Sequence, residues 1–245
     1  MSPSSAAPRV QIAGIELIRR ALRERTDVRV LLIPTDDTSA EISELEAEAR
    51  ARGVRIWRGG PGDMRRMGRG PDAERAVALV GQSPSATPDE LLSRGGMTWL
   101  LHRASYPSNV GFSIRTAEVS GADGVIVDAL FNHEQRGRIS HVSMGASDLL
   151  PVVYSTTEQT LALAAQRGVH SIAIEDTGSH LPWQVDLSAP CVCIIGNEQT
   201  GIDTDLVARC DFSIRIPMAG FVPSYNVQAA MTAIAVERLR QLGRG

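Results

Sequence analysis

From residue 97 onward, short apolar runs bounded by glycine or polar residues alternate with segments of helical spacing. Residues 97–101, 124–127, 170–174, 192–195 and 213–216 read as strands. Helices are predicted over about 110–120, 157–167, from about 203, and over 226–242. Several of these strands are apolar throughout rather than at every second residue. That pattern belongs to strands buried on both faces, as in a parallel sheet covered by helices on each side. Strand–helix alternation requires crossovers, so the fold class is α/β with a mostly parallel sheet. No internal repeat is present.

The N-terminal third holds a second, smaller α/β pattern. Residues 10–25 carry Ile12, Ile15, Leu17, Ile18 and Leu22 at helical spacing and predict a helix. A strand follows at 28–33. Ser39 then caps a helix rich in Glu and Ala that closes near Gly53. A strand at 54–57, a Gly/Arg loop at 59–70 and a strand at 76–80 complete the unit. The expected organisation is a small α/β substrate-binding domain at 1–82, a linker at 83–96 announced by the Pro/Ser-rich stretch 82–88, and a second domain at 97–245. Residues 1–8 lack a basic start and an apolar segment, so they read as a disordered lead and not as a secretory signal.

With 245 residues and 43% hydrophobic content, one large or two modest soluble domains are expected. No apolar run approaches the roughly 18 residues needed to cross a bilayer, so no membrane partner is expected. Cys191, Cys193 and Cys210 are too few for a disulfide framework, and a cytoplasmic location follows. The net charge of −3 argues against a chain that simply coats nucleic acid. The chain has no lysine, and all 25 cationic residues are arginine, the better bidentate partner of phosphate. Residues 1–80 hold 14 Arg against 12 Asp and Glu, whereas the remainder holds 11 against 16. A polyanion would therefore meet the N-terminal unit. Arg58, Arg65, Arg66 and Arg69 sit among five glycines over 58–70, as an RNA-following loop or as a solvated one. Cys191 and Cys193 share one face of an apolar strand as small hydrophobes. No second pair stands at zinc spacing and the five histidines form no triad, so no metal is expected.

Three loops follow strand ends in the second domain, where open α/β sheets bind ligands. The first, around Asn109 and Gly111, leads into a helix carrying Arg115. Asn109 there is either an N-cap or a site residue, and Arg115 either a solvated charge or a functional one. The second is Gly196-Asn197-Glu198-Gln199-Thr200-Gly201, a plain turn or a place where backbone meets a ligand. The third is Ile216-Pro217-Met218-Ala219-Gly220-Phe221-Val222-Pro223-Ser224-Tyr225-Asn226-Val227, a turn with Ser224 capping the last helix or a ligand loop.

Taken together, the three resemble the signature motifs of the SpoU/TrmH branch of the SPOUT methyltransferases. The first family motif, Asn-x-Gly-x-x-x-Arg followed by a small-residue helix and Gly-Ala, is matched by Asn109, Gly111, Arg115, Thr116-Ala117 and Gly121-Ala122. The second, an apolar run with Gly-x-Glu and Gly, is matched by Gly196, Glu198 and Gly201. The third, Ile-Pro-Met-x-Gly and then Ser-Leu-Asn-Val, is matched by Ile216 to Gly220 and by Ser224, Asn226 and Val227. Ser143-Met144-Gly145-Ala146 resembles the family's Ser-x-Gly-Ala segment. The match spans about 97–242. The N-terminal unit is similar, by pattern alone, to the substrate-binding domain often fused ahead of this catalytic domain.

The resemblance implies a trefoil-knotted sheet, a homodimer with its active site at the interface, and S-adenosyl-L-methionine as cofactor. Gly196, Asn197, Gly201, Ile216, Met218, Tyr225 and Val227 would hold that cofactor. The implied reaction is 2′-O-ribose methylation of a structured rRNA or tRNA. Arg115 would act on the reacting hydroxyl, with Asn109, Glu198, Ser224 and Asn226 as positioning groups. Arginine has a reference pKa of ~12.5–13.8, so stabilising a developing alkoxide suits it better than general-base duty. The chain departs from the family at His102 and Tyr106, where Asp is common, and at Tyr225, where Leu is usual. These departures leave two other readings open: a methyltransferase for a small molecule or another RNA atom, and a non-catalytic RNA-binding dimer.

Overall fold

The computed structural model describes residues 10–25, 27–81, 84–222 and 224–244. The expected lead at 1–8, residue 82 at the end of the expected N-terminal domain, residue 83 of the expected linker, and Pro223 of the third loop lie outside them. The chain divides into two compact units at 83/84.

The N-terminal unit runs β1 (Val10–Ala13), α1 (Ile15–Glu24), β2 (Val28–Pro34), α2 (Ala40–Ala51), β3 (Arg55–Gly59), α3 (Pro61–Met67) and β4 (Val77–Val80). Its sheet has the order β1-β4-β2-β3. β2 and β3 are parallel, and β4 is antiparallel to both of its neighbours. Leu31 and Ile33 pack with Ile18, Leu22, Ile42 and Leu45 of α1 and α2, whereas Leu32 packs with Met64 of α3. Successive strand residues face opposite ways, so helices cover both faces. The single helix expected over 10–25 is instead a strand and a helix. Gly14 separates them at φ +90, a conformation that glycine reaches without a Cβ clash. The expected Gly/Arg loop at 59–70 contains α3, which Pro61 starts at its first position. The Asp63 carboxylate accepts from the Gly60 N–H at 3.1 Å there.

The second unit runs α4 (Pro88–Leu92), β5 (Met97–His102), α5 (Pro107–Val119), β6 (Gly124–Asp128), α6 (His133–Val142), β7 (Val152–Tyr154), α7 (Thr157–Arg167), β8 (His170–Ile174), β9 (Cys191–Ile195), α8 (Thr204–Arg209), β10 (Phe212–Ile214) and α9 (Val227–Gln241). All six strands are parallel, in the order β10-β8-β9-β5-β6-β7. Trp99, Leu101, Val125 and Cys193 face α5, α6 and α9 through Ile114, Ile139, Met231 and Ile234. Leu100, Ile126, Val192 and Ile194 face α4, α7 and α8 through Leu91, Ala164 and Leu206. Residues 83–96 are therefore not simply a linker, because Leu91 and Leu92 of α4 are buried in this core. α6 and β7 were not expected from sequence. No described helix is long and apolar enough to cross a membrane.

Candidate active site

β5 and β9 lie side by side at the centre of the sheet. From β5 the chain proceeds to β6 and β7 on one side, and from β9 it proceeds past β8 to β10 on the other. The crevice beyond the carboxyl ends of such a pair is the topological switch point, where open α/β sheets bind ligands. Residues 103–106 leave β5 there, and residues 196–203 leave β9.

Side chains stitch these loops together. Asn197 Nδ2 donates to the Arg103 carbonyl and to Ser105 Oγ, both at 2.6 Å. Its Oδ1 accepts from the Gln199 N–H at 2.8 Å. The Glu198 carboxylate accepts from the Ser105 N–H at 3.1 Å, the Tyr106 N–H at 3.4 Å and Asn109 Nδ2 at 2.9 Å. Asn109 Oδ1 accepts from Asn226 Nδ2 at 3.4 Å. One carboxylate thus fixes the entrance to α5, and one amide relays it to the start of α9. Asn109 is no N-cap, because Tyr106 holds that position and Pro107 opens the helix. Ser224 does not cap α9 either, since Asn226 accepts from the Gln228 N–H at 3.0 Å.

The glycines of the second loop have steric causes. A Cβ on Gly196 would lie 2.3 Å from the Gly201 carbonyl carbon. The chain closes on itself here, with the Gly201 N–H donating to the Asn197 carbonyl at 2.9 Å. Gly201 adopts φ +66, and a Cβ there would meet the Glu175 carboxylate at 2.7 Å. Glu175 Oε2 accepts from the Ile202 N–H at 2.7 Å. Glu175 is a site residue that the sequence reading missed. It lies outside all three motifs, and only strand adjacency brings β8 beside β9.

A cavity of about 380 Å³ opens beyond the ends of β8 and β9, between the second and third loops. Glu175, Gly196, Asn197, Gly201, Ile216, Met218, Ser224, Tyr225 and Val227 contribute to its wall, which therefore contains all seven residues expected around the cofactor. Tyr225 donates from its hydroxyl to the Pro217 carbonyl at 3.3 Å, tying the two ends of the third loop. The volume suits a small-molecule ligand. The wall mixes apolar side chains with a carboxylate, an amide and a hydroxyl, as a nucleoside carrying a charged tail requires.

Arg115 stands apart. It is exposed on α5, donates to the Met144 thioether, forms no salt bridge among the described residues and does not line this cavity. His102 points to the opposite face of the sheet. Its Nδ1 lies 2.7 Å from Thr157 Oγ1, and that hydroxyl donates to Asp128 Oδ2 at 2.7 Å. A hydroxyl has one proton and a carboxylate only accepts, so Nδ1 is the donor to Thr157. Burial, with Arg103 nearby, pushes the His102 pKa down. The imidazole is a neutral brace between β5, β6 and α7. Of the expected RNA contacts, Arg58 pairs with Glu46 and Arg66 with Asp63. Arg65 and Arg69 form no salt bridge among the described residues. No group of three or more metal-binding side chains occurs among the described residues.

The model of the SpoU rRNA Methylase family matches residues 96–236. The 23S rRNA (guanosine-2′-O-)-methyltransferase RlmB of Pseudomonas syringae pv. tomato is 29% identical over 241 residues, covering 94% of this chain and 95% of its own length. RlmB of Pseudomonas aeruginosa is 34% identical over 157 residues, covering 62% of this chain and 63% of that protein. Among solved structures, the SpoU methyltransferase AviRb from Streptomyces viridochromogenes in complex with the cofactor AdoMet is 26% identical. It superposes with a TM-score of 0.59 over 97% of this chain and 91% of its own.

Proposed function

The chain belongs to the SpoU rRNA methylase family, and on that premise we propose that it methylates a ribose 2′-hydroxyl of ribosomal RNA with S-adenosylmethionine as methyl donor. The observation that carries this reading is the 380 Å³ cavity beyond β8 and β9, walled by the second and third loops. The relatives' printed activity, guanosine 2′-O-methylation of 23S rRNA, points to the large-subunit RNA and to the cytoplasm. S-adenosylmethionine supplies an already activated methyl group, so the protein's task is alignment, worth ~7–11 kcal/mol when the reacting atoms are well oriented.

Each residue then has a task. Gly196, Asn197, Gly201, Ile216, Met218, Tyr225 and Val227 hold the cofactor. Glu198, bonded to Asn109 and through it to Asn226, keeps the rim of the cavity in one geometry before the RNA arrives. Ser224, exposed at the mouth, faces the incoming ribose. Arg115 stabilises negative charge developing on the 2′-oxygen. Neutralising any arginine side chain at pH 7 costs roughly 7.5–9 kcal/mol from its reference pKa, which rules against a base and leaves the proton to water.

The position of Arg115 outside its own chain's cavity supports a homodimer in which Arg115 of the partner subunit completes the site. Phe221, Val222 and Tyr225 are exposed beside the cavity, an apolar patch suited to such an interface. The trefoil knot belongs to the same proposal: the third loop leaves β10 at the sheet edge, yet α9 packs at the centre against α5.

Two measurements test the reading. Calorimetry should detect S-adenosylmethionine binding, and its absence would sink the proposal. Labelled donor incubated with an unmodified 23S rRNA transcript should leave label in a dinucleotide that resists alkaline hydrolysis, because a 2′-O-methyl blocks cleavage of the adjacent bond. Label in alkali-sensitive products would move the reaction to another RNA atom.

A further inference from the structure

Most arginines of the second unit are accounted for by their own chain. Arg103 pairs with Asp203, Arg167 with Asp89, Arg209 with Glu158 and Arg240 with Glu237. Arg238 is buried against the Leu187 carbonyl, and Arg136 lies over the Tyr154 ring at 5.2 Å. Arg138 on α6 differs. It is exposed, forms no salt bridge among the described residues, and its Nε donates to Ser108 Oγ at 3.0 Å. Glu134 stands four residues back on the same helix, at ion-pair spacing, yet the guanidinium turns to a neutral hydroxyl on α5. Ser108 is the neighbour of Asn109.

The placement follows from how α5 and α6 meet. Gly111 lets α6 come close: a Cβ there would lie 2.8 Å from Val142 Cβ and 2.9 Å from the Ile139 carbonyl oxygen. Ser108 and Arg115 are seven residues apart, two turns along one face of α5, or roughly 10 Å at 1.5 Å per residue. Arg138 reaches one end of that stripe, and Met144, which receives Arg115, lies at the other. Two guanidiniums with neutral partners thus mark the two ends of one exposed α5 face. Arg103, Arg167, Arg209 and Arg240 have carboxylate partners within the chain, whereas Arg115 and Arg138, meeting only a thioether and a hydroxyl, keep their charge for something outside it.

We propose that Arg138, held by Ser108, binds an RNA backbone phosphate near the target nucleotide and so positions the substrate strand along the α5–α6 face. The inference rests on the RNA-methylation reading above. A serine hydroxyl occupies one donor of the fork and leaves the outward-facing N–H groups for a phosphate, which guanidinium geometry matches. Arg138 is a positioning residue, because it neither lines the cofactor cavity nor bonds to the Glu198 network.

The test measures RNA binding over a range of salt concentrations, using an unmodified 23S rRNA transcript and wild-type, Arg138→Gln, Arg138→Lys and Ser108→Ala proteins. Arg138→Gln should weaken binding several-fold at low salt and flatten the slope of log affinity against log salt by about 0.7–0.9, the loss of one phosphate contact. KM for RNA should rise with kcat nearly unchanged. Arg138→Lys should restore the slope and part of the affinity, and Ser108→Ala should have the smaller effect. Calorimetric affinity for S-adenosylmethionine and the melting temperature should match wild type in all three variants, which a merely structural role would not permit. Wild-type affinity and slope in Arg138→Gln would overturn the inference alone. A wild-type protein that binds no RNA would overturn both this inference and the functional reading.

Discussion

At the scale of single residues, Glu198 is the point on which the site turns. Its carboxylate takes two backbone N–H groups and one side-chain amide. Glu198→Gln keeps the shape but replaces two acceptor oxygens with one, so at least one donor loses its partner. Losing a hydrogen bond to a charged group costs about 1.5–3 kcal/mol, and the loop at 103–106 would loosen. The expected result is a fall of tenfold or more in kcat/KM with a melting temperature lowered by only several degrees, measured by single-turnover kinetics and calorimetry. Wild-type kinetics would show that the network is only a fold contact. The motifs bearing Asn109, Glu198 and Asn226 were legible in the sequence because each is local. Their mutual bonding was not, since Glu198 and Asn109 are 89 residues apart. Glu175 was illegible for the same reason. Gly196 was expected to let backbone approach a ligand, whereas the structure shows the tighter demand to be the loop's closure on its own Gly201.

At the scale of elements, proline misled the sequence reading in a consistent way. Pro61, Pro88 and Pro107 each open a helix. By sequence pattern they fall within a Gly/Arg loop, within a linker, and ahead of a helix predicted to begin at about 110. Proline fits the first helical position because that residue's N–H has no intrahelical partner anyway. α6 was missed for a different reason: Ile139 is its one buried residue, so it has no apolar stripe to read. A capping box formed by Asn132 and Gln135 and its packing on α5 sustain it instead. Gly111→Ala tests that packing. The change gains about 1 kcal/mol in helix propensity, but the new methyl meets a β-carbon and a backbone oxygen, neither of which yields easily. Overpacking typically costs about 1–3 kcal/mol, so net destabilisation of up to about 2 kcal/mol is expected in urea unfolding. A stabilised protein would show that α6 can shift freely.

At the scale of the whole molecule, two outcomes are expected. The first concerns acid stability. Burial holds the folded pKa of His102 below the usual imidazole value of about 6.5, so the folded state resists a proton that the unfolded chain accepts. Stability is then full above pH 6.5 and is lost as pH falls through that value towards the depressed folded pKa. His102→Asn, which offers Nδ2 in place of Nδ1, should flatten this part of the melting profile between pH 7 and 5; an unaltered profile would assign the loss elsewhere. The second concerns assembly. If Arg115 of the partner subunit completes each site, Arg115→Ala and Glu198→Gln are complementary defects. Unfolding and refolding them together should regain about a quarter of wild-type activity, from mixed dimers with one intact site each. No recovery would place both residues in the site of a single chain.

The sequence alone determined the parallel α/β class, the order of its main strands and the identity of the three loops, because strand burial and loop chemistry are written in contiguous residues. Tertiary structure decided which strands lie side by side, and therefore that β8, β9 and β5 bring Glu175, Gly201, Glu198 and Asn109 to one crevice. It also decided that Arg115 and Arg138 lie exposed with a thioether and a hydroxyl as their partners. Strand adjacency and the pairing of charges depend on contacts between residues tens of positions apart, and no window along the chain contains them.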